Sequence, residues 1–165
     1  MNRHYDTADY RRLCKKLREC FNDCTLTTDI MVGFPGETEE AFSETYAFCE
    51  EARFLDMHVF AYSRRKNTPA AEMDGQVEES VKRERSAALI ALREKMRREV
   101  LASLVEDGQP LSVIFETEED GYYMGHSDEF VPVRVEASEA LHGLLERVLP
   151  VAVREGIVYG NIIQD

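Results

Sequence analysis

The sequence predicts an α/β protein in three parts: a remnant of a parallel (βα) barrel, a long linking helix, and a small antiparallel β-barrel of the OB-like kind. Three observations predict it. Two short apolar, β-branched runs near residues 25–32 and 57–62 flank a helical pattern, the order of a parallel α/β unit. Apolar residues then recur at helical spacing from 77 to 105. From 111 onwards the period shortens to two and turn signals multiply, in a stretch that stabilises itself only by closing its edges.

The elements follow in order. Residues 6–21 read as a helix capped by Asp6 with Asp9, with Tyr10, Leu13, Leu17 and Phe21 on its inner face. Arg11, Arg12, Lys15, Lys16 and Arg18 occupy the other face, as a solvated surface. Residues 25–32 carry little charge, which suits a strand covered on both faces. Gly33 to Glu37 break it. Thr38 caps a second helix, with Glu39 and Glu40 at its positive end and Phe42, Thr45, Tyr46 and Cys49 facing inward. A second strand spans about 57–62, and Asn67, Pro69 and Gly75 mark 63–76 as loop.

The long helix over 77–105 carries the stripe Val77, Val81, Ala88, Leu92, Met96, Val100 and Leu104. Glu78 with Lys82, Glu79 with Arg83 and Glu94 with Arg98 are spaced for surface ion pairs. Asp107, Gly108, Gln109 and Pro110 end it. Leu111 to Phe115 reads as a strand, Asp120–Gly121 as a hairpin turn, and Val131, Val133 and Val135 as the inner face of another strand. Residues 144–153 and 157–163 add two more, with Gly156 and Gly160 as breaks.

Composition narrows the function classes. The 165 residues are 44% hydrophobic and 32% charged, which fits a globular chain and argues against disorder. No apolar run approaches the roughly 20 residues of a membrane span, and no secretory h-region is visible, so a cytoplasmic location is expected. Net charge is −12 and uneven: residues 1–99 hold 17 basic and 19 acidic residues, residues 100–165 hold 3 and 13. Phosphate contacts need Lys and Arg, so the second part departs from the usual balance of a nucleic-acid module. Cys14, Cys20, Cys24 and Cys49 lie in the first third. Cys20 and Cys24 have no third cysteine close by and read as ordinary thiols. His4, His58, His126 and His142 are scattered without helical pairing, so no metal site is expected.

Two loops carry the candidate chemistry. Gly33–Phe34–Pro35–Gly36 leaves a strand and enters a helix. The glycines permit close approach, Pro35 holds Phe34 extended, and the Phe34 ring is free to pack on a flat group. Tyr62, Ser63 and Arg65 end the neighbouring strand. Adjacent parallel strands bring both loops to one rim, where a phenol, a hydroxyl and a guanidinium suit a carboxylate or a sugar. The competing readings are a simple strand-to-helix turn for the first loop and, for the second, a loop that caps the barrel and satisfies its own backbone. Tyr122, Tyr123 and Phe130 are candidates for base stacking or for barrel packing.

These residues resemble a known family, the radical-SAM methylthiotransferases. Met1–Asn2–Arg3–His4–Tyr5 is similar to its M-x-R-x-Y segment. Residues 29–38, from Asp29 to Thr38, are similar to its D-I-x-V-G-F-P-G-E-T strand and loop. Tyr62–Ser63, Arg65 and Thr68–Pro69–Ala70–Ala71 are similar to its Y-S-x-R-x-G-T-P-A-A loop, with Asn67 where the family has Gly. Met73 and Gln76–Val77 also fit. The resemblance implies that residues 1–76 are the end of the radical-SAM core, 77–108 a linking helix, and 109–165 a TRAM domain, a small RNA-binding barrel. His58–Val59–Phe60 favours the branch that acts on threonylcarbamoyladenosine in tRNA over those acting on isopentenyladenosine or a ribosomal protein.

Further expectations follow from the resemblance. The cofactor would be S-adenosyl-L-methionine, with Gly33, Phe34, Pro35, Gly36, Tyr62, Ser63 and Arg65 lining its pocket, and no residue here acting as acid, base or nucleophile. The whole enzyme would hold two [4Fe–4S] clusters. Neither the C-x3-C-x2-C ligand set nor the other cysteine triad occurs in this sequence, and Met1 matches an internal methionine, so the chain reads as a C-terminal fragment, inactive alone. The partner would be the tRNA anticodon loop, contacted through the basic faces at 11–18 and 82–98 if the acidic barrel does not bind RNA. No DNA or membrane partner is implied, and the open edge at 25–32 would favour self-association. The competing expectation is a stand-alone, non-catalytic module that binds RNA or protein.

Overall fold

A computed structural model describes residues 4–21 and 24–163. Met1, Asn2 and Arg3 of the first motif lie outside the described residues. The chain is mixed α/β and divides into two compact units, residues 1–96 and 97–165.

The first unit begins with α1 (Thr7–Cys20), β1 (Thr27–Val32), α2 (Glu39–Ala52) and β2 (Asp56–Ala61). It continues with the short α3 (Pro69–Glu72) and with residues 79–96 of α4 (Glu79–Asp107). α1 starts where the capping box places it: the Asp6 carboxylate accepts from Asp9 N–H at 2.8 Å and Asp9 returns the bond at 3.1 Å. Thr38 caps α2 by accepting from Ala41 N–H at 3.2 Å. β1 and β2 pair in parallel, Thr27 opposite Asp56 through Val32 opposite Ala61. The core joins Cys14, Val32, Phe42, Cys49, Phe54 and Met57 to Leu89, Leu92 and Met96.

The first unit departs from several expectations. The inner face of α1 is Tyr10, Cys14 and Leu17, whereas Leu13 and Phe21 are exposed. Cys14, small and apolar, takes the inward position that periodicity gave to Leu13. β1 is not covered on both faces: Thr27 and Asp29 are exposed, so the strand alternates. The buried stripe of α4 is Lys82, Arg85, Leu89, Leu92 and Met96, not one led by Val77 and Val81. Lys82 pairs with Glu79 and not as a surface partner of Glu78. The basic face of α1 is partly committed to α2. Arg11 grips Glu51 in bidentate fashion at 2.7 and 2.8 Å, and Arg18 donates to the Ala52 carbonyl at 2.6 Å.

The second unit holds the end of α4 and five strands: β3 (Leu111–Glu119), β4 (Tyr122–Ser127), β5 (Pro132–Glu136), β6 (Leu145–Arg154) and β7 (Ile157–Ile162). They close in the order β3-β4-β5-β7-β6. Closure removes the free edges of short strands. The barrel is mixed, since β5 and β7 run parallel, and so differs from the antiparallel expectation. Turns of two residues at positive φ, Asp120–Gly121 and Glu155–Gly156, join β3 to β4 and β6 to β7. Val113, Phe115, Val131, Val133, Val135, Val148 and Val158 fill the interior.

Gly160 is not a break but an inward position of β7, where a Cβ would meet the Val148 side chain and come 2.6 Å from the Leu149 carbonyl oxygen. Gly125 is tighter, with the backbone of β3 directly against it: a Cβ would strike the Ile114 carbonyl oxygen and lie 2.8 Å from its carbon. Among the described residues no helix is long and apolar enough to cross a membrane.

Two outcomes are expected. Gly125→Ala, which forces backbone apart, should destabilise the barrel by about 2–3 kcal/mol in urea denaturation. A change below about 0.5 kcal/mol would show that the strands yield freely. Burial pushes the Cys49 thiol up to about 12, so at pH 8 it is neutral and unreactive. Mass spectrometry after brief alkylation at pH 8 should find exposed Cys20 modified, and Cys49 modified only in denaturant.

Candidate functional site

The parallel register decides which loops meet. Because Val32 lies opposite Ala61, the chain leaves both strands at the same level, and Tyr62 N–H donates to the Val32 carbonyl at 2.8 Å. The next residues, Gly33–Phe34–Pro35–Gly36 and Tyr62–Ser63, therefore share a rim. Phe34 and Tyr62 touch edge to face, with ring centroids 5.4 Å apart and planes at 72°. Gly33, Pro35 and Tyr62 are buried, Phe34 is half-buried, and Gly36, Ser63 and Arg65 are exposed. The structure thus brings Gly33, Phe34, Pro35 and Tyr62 together and leaves Ser63 and Arg65 on the solvent side of the loop.

Residues of α4 that sequence reading assigned to a surface hold this rim. The Lys82 stem crosses Gly33, where a Cβ would strike Lys82 Cγ and lie 2.9 Å from Cδ; Gly33 itself sits at φ +70°. Only Gly fits both constraints. Lys82 Nζ then donates to the Tyr62 carbonyl at 3.1 Å and pairs with Glu79 at 2.7 Å. Glu37 folds back under its own loop: its carboxylate accepts from Gly33 N–H at 2.7 Å and from Arg85 Nη1 at 2.7 Å. Arg85 also reaches Glu39 at 3.1 Å and lies over the Phe42 ring at 5.2 Å. Burial alone would lower the Arg85 pKa, but the hydrogen bonds to Glu39 and Glu37 outweigh it and hold the guanidinium above its ordinary value.

The loop between α3 and α4 completes the frame. Gly36 N–H donates to the Gly75 carbonyl at 2.8 Å, and Gln76 binds the carbonyls of Ala70 and Met73 at 2.9 Å each. Asn67 takes φ +63°, the conformation Asn tolerates better than most side chains. Thr68 Oγ1 donates to the Arg65 carbonyl at 2.8 Å and fixes the loop after Tyr62.

One polar atom at the rim lacks a partner. Tyr62 is only 8% exposed, and its hydroxyl is buried with no hydrogen bond among the described residues. A buried, unsatisfied hydroxyl is costly and is the feature a bound polar group relieves. The Phe34 ring packs against the same tyrosine, and paired aromatic rings with a free hydroxyl suit a flat, hydrogen-bonding ligand such as a nucleoside. A metal cluster does not fit: among the described residues no group of three or more His, Cys, Asp or Glu is placed to hold a metal ion.

Comparison with known proteins bears on the identity. The chain is 38% identical over 151 residues to the threonylcarbamoyladenosine tRNA methylthiotransferase MtaB of Bacillus subtilis, covering 90% of this chain and 34% of that protein. It is 38% identical over 167 residues to a tRNA-2-methylthio-N(6)-dimethylallyladenosine synthase of Acetivibrio thermocellus, covering 99% and 34%. It is 40% identical over 132 residues to the ribosomal protein uS12 methylthiotransferase RimO of Alkaliphilus oremlandii, covering 80% and 30%. The chain belongs to the radical-SAM methylthiotransferase family. It spans about a third of the length of these relatives. No family model matches the chain.

The rim depends on its ion pairs. Removing one member of a buried pair strands the other charge. Glu37→Ala should cost about 3 kcal/mol in chemical denaturation, at the lower end because the exposed Glu39 still neutralises Arg85. Glu37→Ala combined with Arg85→Met should cost less than the sum of the two single changes. Strict additivity would show that the pair is not coupled.

Proposed function

We propose that this chain is the C-terminal part of a tRNA methylthiotransferase that adds a methylthio group to C2 of N6-threonylcarbamoyladenosine at position 37. One observation carries the reading: two motif loops meet at Phe34 and Tyr62, beside a buried hydroxyl that lacks a partner. Residues 1–76 are read as the end of the radical-SAM core and 77–108 as the linking helix. Residues 109–165 are read as a TRAM-like barrel, and the strand order β3-β4-β5-β7-β6 supports an OB-like topology.

The residues proposed to hold S-adenosylmethionine are Gly33, Phe34, Pro35, Gly36, Tyr62, Ser63 and Arg65. When bound, that cofactor supplies the radical source and the methyl group. Phe34 offers a flat apolar surface, and the open space at Gly36 leaves room for a ring against backbone, while Gly33 admits the Lys82 stem that holds the loop. The Tyr62 hydroxyl gains the hydrogen bond it lacks, while Ser63 and Arg65 serve a carboxylate or ribose at the open side. No residue here is assigned as acid, base or nucleophile. The cluster ligands are proposed to lie outside this stretch, the chain alone to be inactive, and the site of action to be the cytoplasm.

The three branches are similar to this chain at nearly equal identity, so the substrate needs a direct test. Disrupting the gene and measuring tRNA nucleosides by mass spectrometry should abolish 2-methylthio-N6-threonylcarbamoyladenosine and leave its unthiolated precursor. Loss of the dimethylallyladenosine derivative instead, or unchanged tRNA, would overturn the substrate assignment.

A further inference from the structure

The outer face of β6, β3 and β4 carries an exposed apolar row remote in sequence from the Phe34–Tyr62 rim. The register sets Leu145 of β6 and His126 of β4 on either side of Ile114 of β3. Leu145 is 69% exposed and Ile114 47%. Phe130, 75% exposed, stacks on His126 with ring centroids 4.9 Å apart and 24° between planes.

The fold enforces this display. Phe130 sits at φ +62°, a conformation that a bulky L-residue adopts only at a cost. A tight turn holds it there: Phe130 N–H donates to the Ser127 carbonyl at 2.9 Å. The buried Ser127 hydroxyl accepts from Glu129 N–H and Val131 N–H at 3.2 Å each. His126 is fixed in turn, its Nδ1 lying 3.0 Å from the Glu116 carboxylate. An aromatic held outward by a strained, fully bonded turn is a built feature and not loose packing.

Charge indicates what fits the surface. Residues 100–165 carry 13 acidic groups and 3 basic ones. Glu116 borders the row, and exposed Asp128 lies in the same turn. Two of the three arginines are engaged elsewhere: Arg134 lies over the Tyr122 ring at 4.5 Å and Arg154 over Tyr159 at 5.3 Å. The third, Arg147, stands opposite Ser112 at one end of the row. A phosphate backbone finds few cations here. A Lys- or Arg-bearing chain finds carboxylates, an aromatic face for a cation, and seats for an apolar anchor.

We propose that the face formed by Leu145, Ile114, His126 and Phe130 docks a cationic polypeptide segment that carries an apolar anchor. The proposal stands apart from the methylthiotransferase reading, and its test uses no tRNA modification. The 15N-labelled full chain is titrated with the peptide Lys-Leu-Lys-Arg-Leu-Lys and, separately, with single-stranded oligouridylate. Peptide-induced shifts are expected at residues 112–116, 126–130 and 144–147, with affinity falling as salt rises. Phe130→Asn retains a residue tolerant of positive φ, and so the turn; it should weaken peptide binding at least tenfold, while Glu106→Gln on α4 changes it less than twofold. Shifts elsewhere, unchanged binding by Phe130→Asn, oligouridylate taking this face in preference to the peptide, or self-association through it would each overturn the proposal.

Discussion

The Lys82 stem laid across Gly33 is the constraint on which the first unit's candidate site depends. It works only because Gly33 has no side chain and its φ is positive. It also ties three separate pieces of chain together, since the ammonium reaches the Tyr62 carbonyl and Glu79 at once. Arg85 does the same one turn on, through Glu37 and Glu39. Buried ion pairs of this kind add little net stability compared with an apolar core, but they tolerate only one arrangement of their partners. The loops are therefore held in register by charge geometry, while Leu89, Leu92 and Met96 of the same helix supply the apolar attachment.

Much of this was legible in the sequence, for identifiable reasons. Capping chemistry is local, so Asp6 with Asp9 and Thr38 marked two helix starts correctly. The meeting of Phe34 and Tyr62 followed from two strand ends lying side by side, which needs only parallel pairing. Lys82 and Arg85 were missed because periodicity counts apolar residues, and long cationic side chains bury their stems without registering as apolar. Their spacing to Leu89, Leu92 and Met96 was the available signal. Glu37 was read only as part of a break, since its partner Arg85 lies 48 residues away. Gly160 was misread because a glycine in a strand marks either a break or a crowded interior, and only the approach of Val148 and Leu149 distinguishes them.

The barrel solves a different problem. Its strands are short and its surface strongly acidic, yet closure leaves no free edge within the ring. The parallel β5–β7 contact that sequence reading missed is what lets five strands close, because an antiparallel-only ring needs an even number. Gly125 and Gly160 admit the close backbone approach that so narrow a ring requires. The interior is mostly valine around Phe115, while Phe130 and Leu145 stand on the outside.

The central claim is that both motif loops form one unit governed by α4. Amide hydrogen exchange tests it most directly. The amides of Gly33, Gly36 and Tyr62 bond to the Glu37 carboxylate, the Gly75 carbonyl and the Val32 carbonyl. In the native chain they should exchange slowly and with similar protection, and Lys82→Met should accelerate all three together. If the substitution releases Gly33 alone and leaves Tyr62 and Gly36 protected, the loops are independent and the account of a single site fails.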